Sequence, residues 1–291
     1  MRSRVAIVDH SSVNTAIEQA LDFLGTLSDL FRDRHVAIKP NETWASPEDT
    51  SACTQAETVR AVIKIVKSFN PYKITVTGGS GGGETDQIFE YLGIDKVLRE
   101  EKVEFFDHNR GPFEKVHLRY CSTKEVVINP HIFSYDTIVS LAQHKVHKLA
   151  EVTLSMKNIA MSFPAADYYG HPRYKYKYAD EVFFNDLHGF IAGMCHRFPI
   201  HLGIVTGHPA MIGTGPIGGK TFESNLVLAS KDFVALDSIG AAILNRWDVA
   251  HIKKAQQIGM GNADLEKIDI VGVAFSDAVR IFNSRAEAFN T

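Results

Sequence analysis

The chain has 291 residues, which suits one large domain or two closely packed lobes. Its composition, with 45% hydrophobic and 22% charged residues, is typical of globular proteins and excludes disordered, collagen-like and coiled-coil classes. Because 31 Lys and Arg residues stand against 34 Asp and Glu residues, no excess positive charge is available to hold a polyanion, and we expect no nucleic-acid partner.

The predicted elements alternate between strands and helices from the N-terminus onward. In the first half, strands are predicted at residues 5–8, 36–38, 74–77, 103–106 and 126–128, and helices at 15–30, 55–69 and 85–98. In the second half, strands are predicted at 137–142, 202–205, 226–229 and 268–273, and helices at 180–196, 233–245 and 249–258. This order predicts an α/β fold, in which a mainly parallel sheet is covered by helices on both faces.

The sequence shows no clear internal boundary. No Pro/Ser-rich linker and no internal repeat divides it, so residues 1–291 are interpreted as a single domain. The alternative is a pair of closely packed lobes that meet near residue 130, where the composition changes.

The cysteine and N-terminal patterns favour a reducing compartment. Cys53, Cys121 and Cys195 lie far apart and form no C-x-x-C pair, so we expect no disulfide framework, cysteine zinc site or iron–sulfur cluster. The apolar run at residues 5–8 is too short for a signal-peptide core, and the longest uncharged stretch, 198–219, is interrupted by Gly and Pro. We therefore expect a cytoplasmic protein that does not associate with membranes.

Three loops that follow predicted strands carry groups able to bind an anion. The first, Lys39-Pro40-Asn41, offers an ammonium and an amide. The second, 78–83, has five glycines in six residues, so the backbone N–H groups of Gly79, Ser80 and Gly81 can converge on a phosphate or carboxylate. The third runs from 206 to 220 and includes Gly215. A structural turn without a ligand is the alternative for each loop, and parallel strands predict that the two glycine-rich loops share one rim of the sheet.

Histidine and lysine residues are concentrated in the middle of the sequence. Eight of the thirteen histidines fall within residues 131–208. Imidazoles titrate near neutrality, and a lysine beside them can act as a base, a nucleophile or an anion clamp. The candidate residues of this region are His144, Lys145, His147, Lys157, Asn158, His171 and Arg173. For each histidine, a structural role in the core is the alternative. Lys157 beside His147 or His171 would lower the histidine pKa, whereas a carboxylate such as Asp167 or Asp186 against the ring would raise it.

The order of these motifs resembles that of the DUF362 family, a group of uncharacterised bacterial and archaeal proteins. The matching segments are Lys39-Pro40-Asn41, residues 74–83, Lys145-Val146-His147, Leu154-Ser155-Met156-Lys157-Asn158, His171, Gly215-Pro216 and residues 232–237. The sequence departs from the usual family pattern at Val146, at Thr206 and at Ala160-Met161, where members carry Thr, Asp and Gly. Some members are fused to ferredoxin-like modules, but the few cysteines here imply no iron–sulfur cluster.

A second resemblance concerns the spacing of His147, Lys157 and His171. This spacing is similar to that of the lactate racemase family, in which a lysine tethers a nickel-pincer nucleotide and histidines bind the metal or move a proton. The likeness implies a nickel-pincer-dependent racemase or epimerase as an alternative function, with His171 as the candidate metal ligand.

Together these features predict an enzyme that acts on a small anionic metabolite. The predicted catalytic residues are His147, Lys157 and His171, with a histidine as the acid or base. The predicted ligand-binding residues are Lys39, Asn41, Gly79, Ser80, Gly81, Lys145, Asn158, Arg173 and Gly215. A non-catalytic module that binds a ligand or a metal is the alternative from another class. The sequence names no cofactor and is compatible with a homo-oligomer.

Overall fold

The computed structural model describes residues 3–171 and 180–288. The strands in these ranges are β1 (Ser3–Asp9), β2 (His35–Pro40), β3 (Lys73–Gly78), β4 (Glu104–Asp107), β5 (Glu114–His117), β6 (Glu125–Ile128), β7 (Thr137–His147), β8 (Glu151–Thr153), β9 (Leu202–Ile212), β10 (Lys220–Phe222), β11 (Leu226–Ser230) and β12 (Ile268–Gly272). The helices are α1 (Val13–Asp22), α2 (Ser28–Phe31), α3 (Ala56–Ser68), α4 (Thr85–Leu92), α5 (Ile94–Glu101), α6 (Ser155–Ala160), α7 (Ala166–Tyr169), α8 (Leu187–Arg197), α9 (Phe233–Ile243), α10 (Ala250–Gln257) and α11 (Phe275–Ala288). None of the helices in the described ranges combines the length and the apolar character that crossing a bilayer requires.

The described strands form one large mixed sheet and a separate hairpin. The order along the large sheet is β12–β1–β11–β9–β7–β2–β3–β4. Its neighbours are parallel except at β11, which runs antiparallel to both β1 and β9. Two short strands extend the sheet as antiparallel partners, β8 beside β7 and β10 beside β9. The predicted α/β fold with a mainly parallel sheet is therefore confirmed.

Helices cover both faces of this sheet. Successive side chains of a strand point to opposite faces, so each strand contributes to two cores. In β1, Val5 and Ile7 belong to the core that includes residues of α6, α8 and α9. Ala6 and Val8 belong to the opposite core, with residues of α1, α3, α4 and α5. The sheet is thus buried on both sides, as expected for parallel strands.

Two strands extend further than the sequence predicts, and both extensions run through polar residues. β7 continues from residue 142 to His147, and β9 from residue 205 to Ile212. The apolar pattern stops at Gln143 and His144, yet both side chains are almost fully buried. Gln143 Nε2 donates to the Ser51 carbonyl at 2.7 Å, and His144 Nε2 donates to the Gly240 carbonyl at 2.8 Å. These bonds give each buried side chain at least one partner and let the strand continue, while Gln143 Oε1 and His144 Nδ1 have no hydrogen-bond partner among the described residues.

Other boundaries also differ from the prediction. The helix predicted at 85–98 is broken at Gly93, whose φ of 71° ends α4 with a left-handed residue before α5 begins. The strand predicted at 126–128 forms as β6, but it pairs with β5 outside the large sheet. The helix α11 was not predicted, although its buried Ala278, Phe282 and Ala286 follow a four-residue spacing.

The loop after β3 packs tightly against the end of α6. An ideal Cβ at Gly79 would lie 2.0 Å from the Ser162 carbonyl oxygen, a distance that backbone atoms cannot tolerate. At Gly83, in the same loop, the nearest atom to an added Cβ would be Ile88 Cδ1 at 3.7 Å, which is ordinary contact. Position 79 therefore requires glycine, because the loop backbone passes too close to the Ser162 carbonyl for any side chain.

We expect Gly79→Ala to destabilise the protein by about 1–3 kcal/mol, because the new methyl group must push the loop and α6 apart. The matched control, Gly83→Ala, should change the free energy of unfolding by about 0.5 kcal/mol or less. Urea unfolding followed by circular dichroism measures both values. Equal stability of the two variants would contradict the close packing of Gly79.

Candidate small-molecule site

A cleft of about 340 Å³ opens where the parallel strands β2, β3, β7 and β9 end. Its walls include residues 79–82 of the first glycine-rich loop and residues 214–217 of the second, together with His147 and Lys157. The prediction that both loops lie on one rim of the sheet is thus confirmed. The volume falls within the range of about 300–1,000 Å³ that is typical of small-molecule sites.

Most of the predicted site residues line this cleft. They are Lys39, Asn41, Gly79, Ser80, Gly81, His147, Lys157, Asn158 and Gly215. Lys145 lies behind the wall and is fully buried. His171 is not among the lining residues, and its Nε2 lies 3.5 Å from Asp167 Oδ1. Arg173 falls outside the described residues.

A buried ion pair forms the polar floor of the cleft. The Lys39 ammonium donates to the Glu42 carboxylate and, at 3.0 Å, to Asn158 Oδ1. Asn158 Nδ2 returns a bond to the Lys39 carbonyl at 3.0 Å and donates to Ser140 Oγ at the same distance. Because Lys39 lies on β2 and Asn158 on α6, this network fixes the helix against the sheet.

The Glu42 carboxylate also holds the first glycine-rich loop. The Gly79 N–H donates to Glu42 Oε1 at 2.9 Å. Further along the loop, the Ser80 N–H donates to Thr85 Oγ1 at 3.1 Å and the Gly82 N–H to Ser80 Oγ at 3.1 Å. These three N–H groups therefore bind acceptors of the protein itself, and the loop is organised around an internal carboxylate.

We expect Glu42→Gln to destabilise the protein by about 3–5 kcal/mol, because it leaves the Lys39 ammonium buried without its counter-ion. The double variant Lys39→Met with Glu42→Gln should recover part of this loss. An exposed pair provides the control: Glu125→Gln, which removes the partner of Lys115, should cost at most about 1 kcal/mol. Urea unfolding of the four proteins tests this, and a cost for Glu42→Gln no larger than that of the control would contradict it.

Lys145 supports the cleft from behind. Its Nζ donates to the Ala52 carbonyl at 2.5 Å and, at longer range, to Thr43 Oγ1 and the Pro216 carbonyl. Thr43 and Pro216 both line the cleft and come from different loops, so this lysine links two segments of its lining. Burial lowers the pKa of Lys145 to about 8, and raises that of the neighbouring Cys53 thiol to about 11.

The lowered pKa of Lys145 has a consequence for stability at alkaline pH. Between about pH 8 and the ordinary lysine value of 10.5, the unfolded chain binds more protons at this residue than the folded chain does, so stability should rise with pH. We expect Lys145→Met to lose this rise, by roughly 1 kcal/mol per pH unit at most. Unfolding in urea from pH 8 to 10 gives the slopes, with the exposed Lys96→Met as the control. Identical slopes in both variants would contradict the assignment.

Lys157 and Asn158 owe their positions to a buried carboxylate. Asp237 of α9 accepts the N–H groups of Ser155 at 2.9 Å and Met156 at 2.8 Å, which fixes the first turn of α6. Burial raises the pKa of Asp237 to about 7, although these two bonds act in the opposite direction. The other acid of this motif, Asp232, accepts the Val234 and Ala235 N–H groups as the N-cap of α9.

His147 ends β7 at the edge of the cleft. Its Nδ1 accepts the backbone N–H groups of Leu149 and Ala150, each at 3.1 Å. Burial lowers the pKa of His147 to about 2, with Lys157 as the next largest cause and smaller effects of Lys145 and His251. The pKa of His147 is therefore lowered, as expected, but loss of hydration lowers it more than the charge of Lys157 does.

The cleft also has an apolar wall and an excess of lysine. Met161, Phe183 and Leu187 contribute apolar side chains to its lining. The ionic residues among the described lining residues are Lys39, Glu42, Lys148 and Lys157. With three lysines against one carboxylate, the cleft offers a positive region beside an apolar one.

The sequence reasoning missed several of these residues. Glu42 directly follows the predicted Lys39-Pro40-Asn41 loop. A carboxylate three residues after a lysine at the end of a strand was the signal that could have indicated an ion pair. Phe183 and Phe184 lie within the segment predicted as a helix at 180–196, where they form a π-helical turn, Asp180–Phe184, that faces the cleft. Such turns have no sequence pattern that distinguishes them from helix.

The described residues do not fit a metal ion bound directly by the protein. Within 3–171 and 180–288, no three His, Cys, Asp or Glu side chains come together as a metal-binding group. Both ring nitrogens of His171 are buried without a hydrogen-bond partner in this part of the chain. A metal at His171 therefore stays a prediction, and no later step depends on it.

Comparison with known proteins assigns the family. A model described as "Domain of unknown function (DUF362)" matches residues 36–242, and because this is more than half of the sequence, the chain belongs to the DUF362 family. No curated protein matches the sequence. Among solved structures, the chain is similar to the lactate racemase apoprotein from Thermoanaerobacterium thermosaccharolyticum, with 18% sequence identity and a TM-score of 0.44. That alignment covers 89% of this chain but only 58% of the racemase chain.

Proposed function

We propose that the cleft binds a small organic anion that carries an apolar group. The observation that supports this most strongly is the pairing of lysines with an apolar wall in one cleft of small-molecule size. A negatively charged group would lie near Lys157 and Lys148, while the apolar part would pack against Met161, Phe183 and Leu187.

The charge balance favours an anion over a neutral ligand. Lys39 already has the Glu42 carboxylate beside it, so their charges largely cancel. Lys157 is only 9% exposed and lies within a cleft in which loss of water strengthens a charged contact. Charge-assisted hydrogen bonds to an incoming carboxylate or phosphate would offset the cost of its desolvation.

Simple probes separate the two parts of this proposal. Phenylacetate tests a carboxylate with an aromatic group, acetate removes the apolar part, benzyl alcohol removes the charge, and phenyl phosphate changes the anion. We expect phenylacetate or phenyl phosphate to bind more tightly than acetate and benzyl alcohol in isothermal titration calorimetry. Binding of benzyl alcohol as tight as that of both aromatic anions would contradict an anion site.

We expect Lys157→Gln to weaken binding of the better aromatic anion by about 10- to 100-fold, because it removes a charge-assisted contact. The control Lys96→Gln changes an exposed lysine of α5 that is not part of the cleft, and it should leave the affinity unchanged. Native mass spectrometry of the purified protein then searches for the natural ligand. Equal affinities of Lys157→Gln and Lys96→Gln would exclude Lys157 as the anion contact.

Catalysis by this site is a further part of the proposal. An enzyme of the predicted kind would convert the ligand found by mass spectrometry, whereas a non-catalytic module would release it unchanged. Incubation of the protein with that ligand, followed by analysis of the products, distinguishes the two classes. The Lys157→Gln variant serves as the control for contaminating activity.

A further inference from the structure

The hydrogen bonds of His147 determine which of its ring nitrogens carries the proton. Nδ1 lies 3.1 Å from the backbone nitrogens of both Leu149 and Ala150. A backbone N–H can only donate, so Nδ1 must present its lone pair. The proton of the neutral imidazole is then on Nε2.

The surroundings also oppose a second proton on this ring. A proton added at Nδ1 would face two N–H groups at the turn after β7. The titratable groups packed around the ring are Lys145 on β7, Lys157 on α6 and His251 on α10, and all of them disfavour a positive charge at His147. Glu151, opposite in the β7–β8 register, directs its carboxylate toward His188 Nε2 at 3.9 Å.

The other nitrogen, Nε2, is available to a ligand. His147 lines the cleft, and no acceptor among the described residues binds Nε2. The His147 side chain is only partly buried at this position. Because Nε2 carries the proton, a ligand that contacts it must offer a hydrogen-bond acceptor.

We infer that His147 is a hydrogen-bond donor with a fixed tautomer, which gives its Nε2–H to an oxygen of the bound anion. This inference deepens the proposed function, on which it rests, by assigning one contact to a carboxylate, phosphate or carbonyl oxygen of the ligand. It also replaces the acid or base role that the sequence predicts for this residue. Since Nε2 already carries a proton and Nδ1 is engaged by two donors, neither nitrogen is ready to take a proton or bind a metal.

The tautomer is measured on the wild-type protein without any ligand. Two-bond ¹⁵N–¹H correlation spectra of protein labelled at histidine report which ring nitrogen is protonated, and His147→Gln identifies the signal of His147. We expect the Nε2-protonated form from pH 8 to pH 5, whereas free histidine in the same buffers titrates near pH 6.5. A proton on Nδ1, or a titration of His147 within this interval, would overturn the inference.

The contact with the ligand needs a second measurement. Adding whichever of phenylacetate and phenyl phosphate binds the wild-type protein should shift the Nε2 signal and leave Nδ1 as an acceptor. His147→Gln keeps an amide donor and should retain affinity within about threefold, while His147→Leu should lose about tenfold. Circular dichroism tests whether both variants fold. If His147→Leu does not fold, the response of the wild-type Nε2 signal to the anion tests the contact by itself.

The outcomes separate this inference from the proposed function. If Lys157→Gln weakens binding but the Nε2 signal of wild-type His147 does not respond to the anion, the anion site stands and the donor role of His147 is wrong. If none of the probe anions binds and no anion co-purifies, the proposed function fails and the donor role fails with it.

Discussion

The buried carboxylate of Glu42 is the interaction on which the site depends. It accepts from the Lys39 ammonium of β2 and from the Gly79 N–H of the loop after β3. An ammonium or a backbone N–H that loses water needs an acceptor, and Glu42 supplies one to each of these two groups. Through Asn158, the same network reaches α6, the helix that also carries Lys157. One carboxylate therefore organises both the floor and one wall of the cleft.

The strand β7 shows how polar residues can build a site from inside a core. Its side chains Gln143, His144 and Lys145 are buried, and each bonds to a different part of the chain. The strand can therefore run beyond its apolar portion and end at His147. In this position the imidazole meets the two N–H groups of the following turn, which hold it in one orientation.

Local patterns in the sequence were enough for much of the architecture. The alternation of apolar runs predicted most strands of the parallel sheet, and the rule that ligands bind beyond their ends placed both glycine-rich loops and Lys157 at one rim. What the sequence could not supply was pairing between distant residues. Glu42 accepts hydrogen bonds from Gly79 and Lys39, and Nδ1 of His147 accepts them from the turn that follows β7. The sequence could not predict these contacts, because they depend on distances that only the folded chain defines.

The tight fit of Gly79 against the Ser162 carbonyl implies that the two sides of the cleft differ in how many amino-acid substitutions they can tolerate. Any side chain at position 79 would displace α6 and disturb the contacts of Lys39 and Asn158, so this side is held almost constant by geometry. The opposite side consists of Phe183, Phe184 and Leu187, whose size and shape can change while the packing between loop and helix is preserved. Descendants of this fold could thus acquire new ligands by remodelling the apolar side and inheriting the ionic side intact.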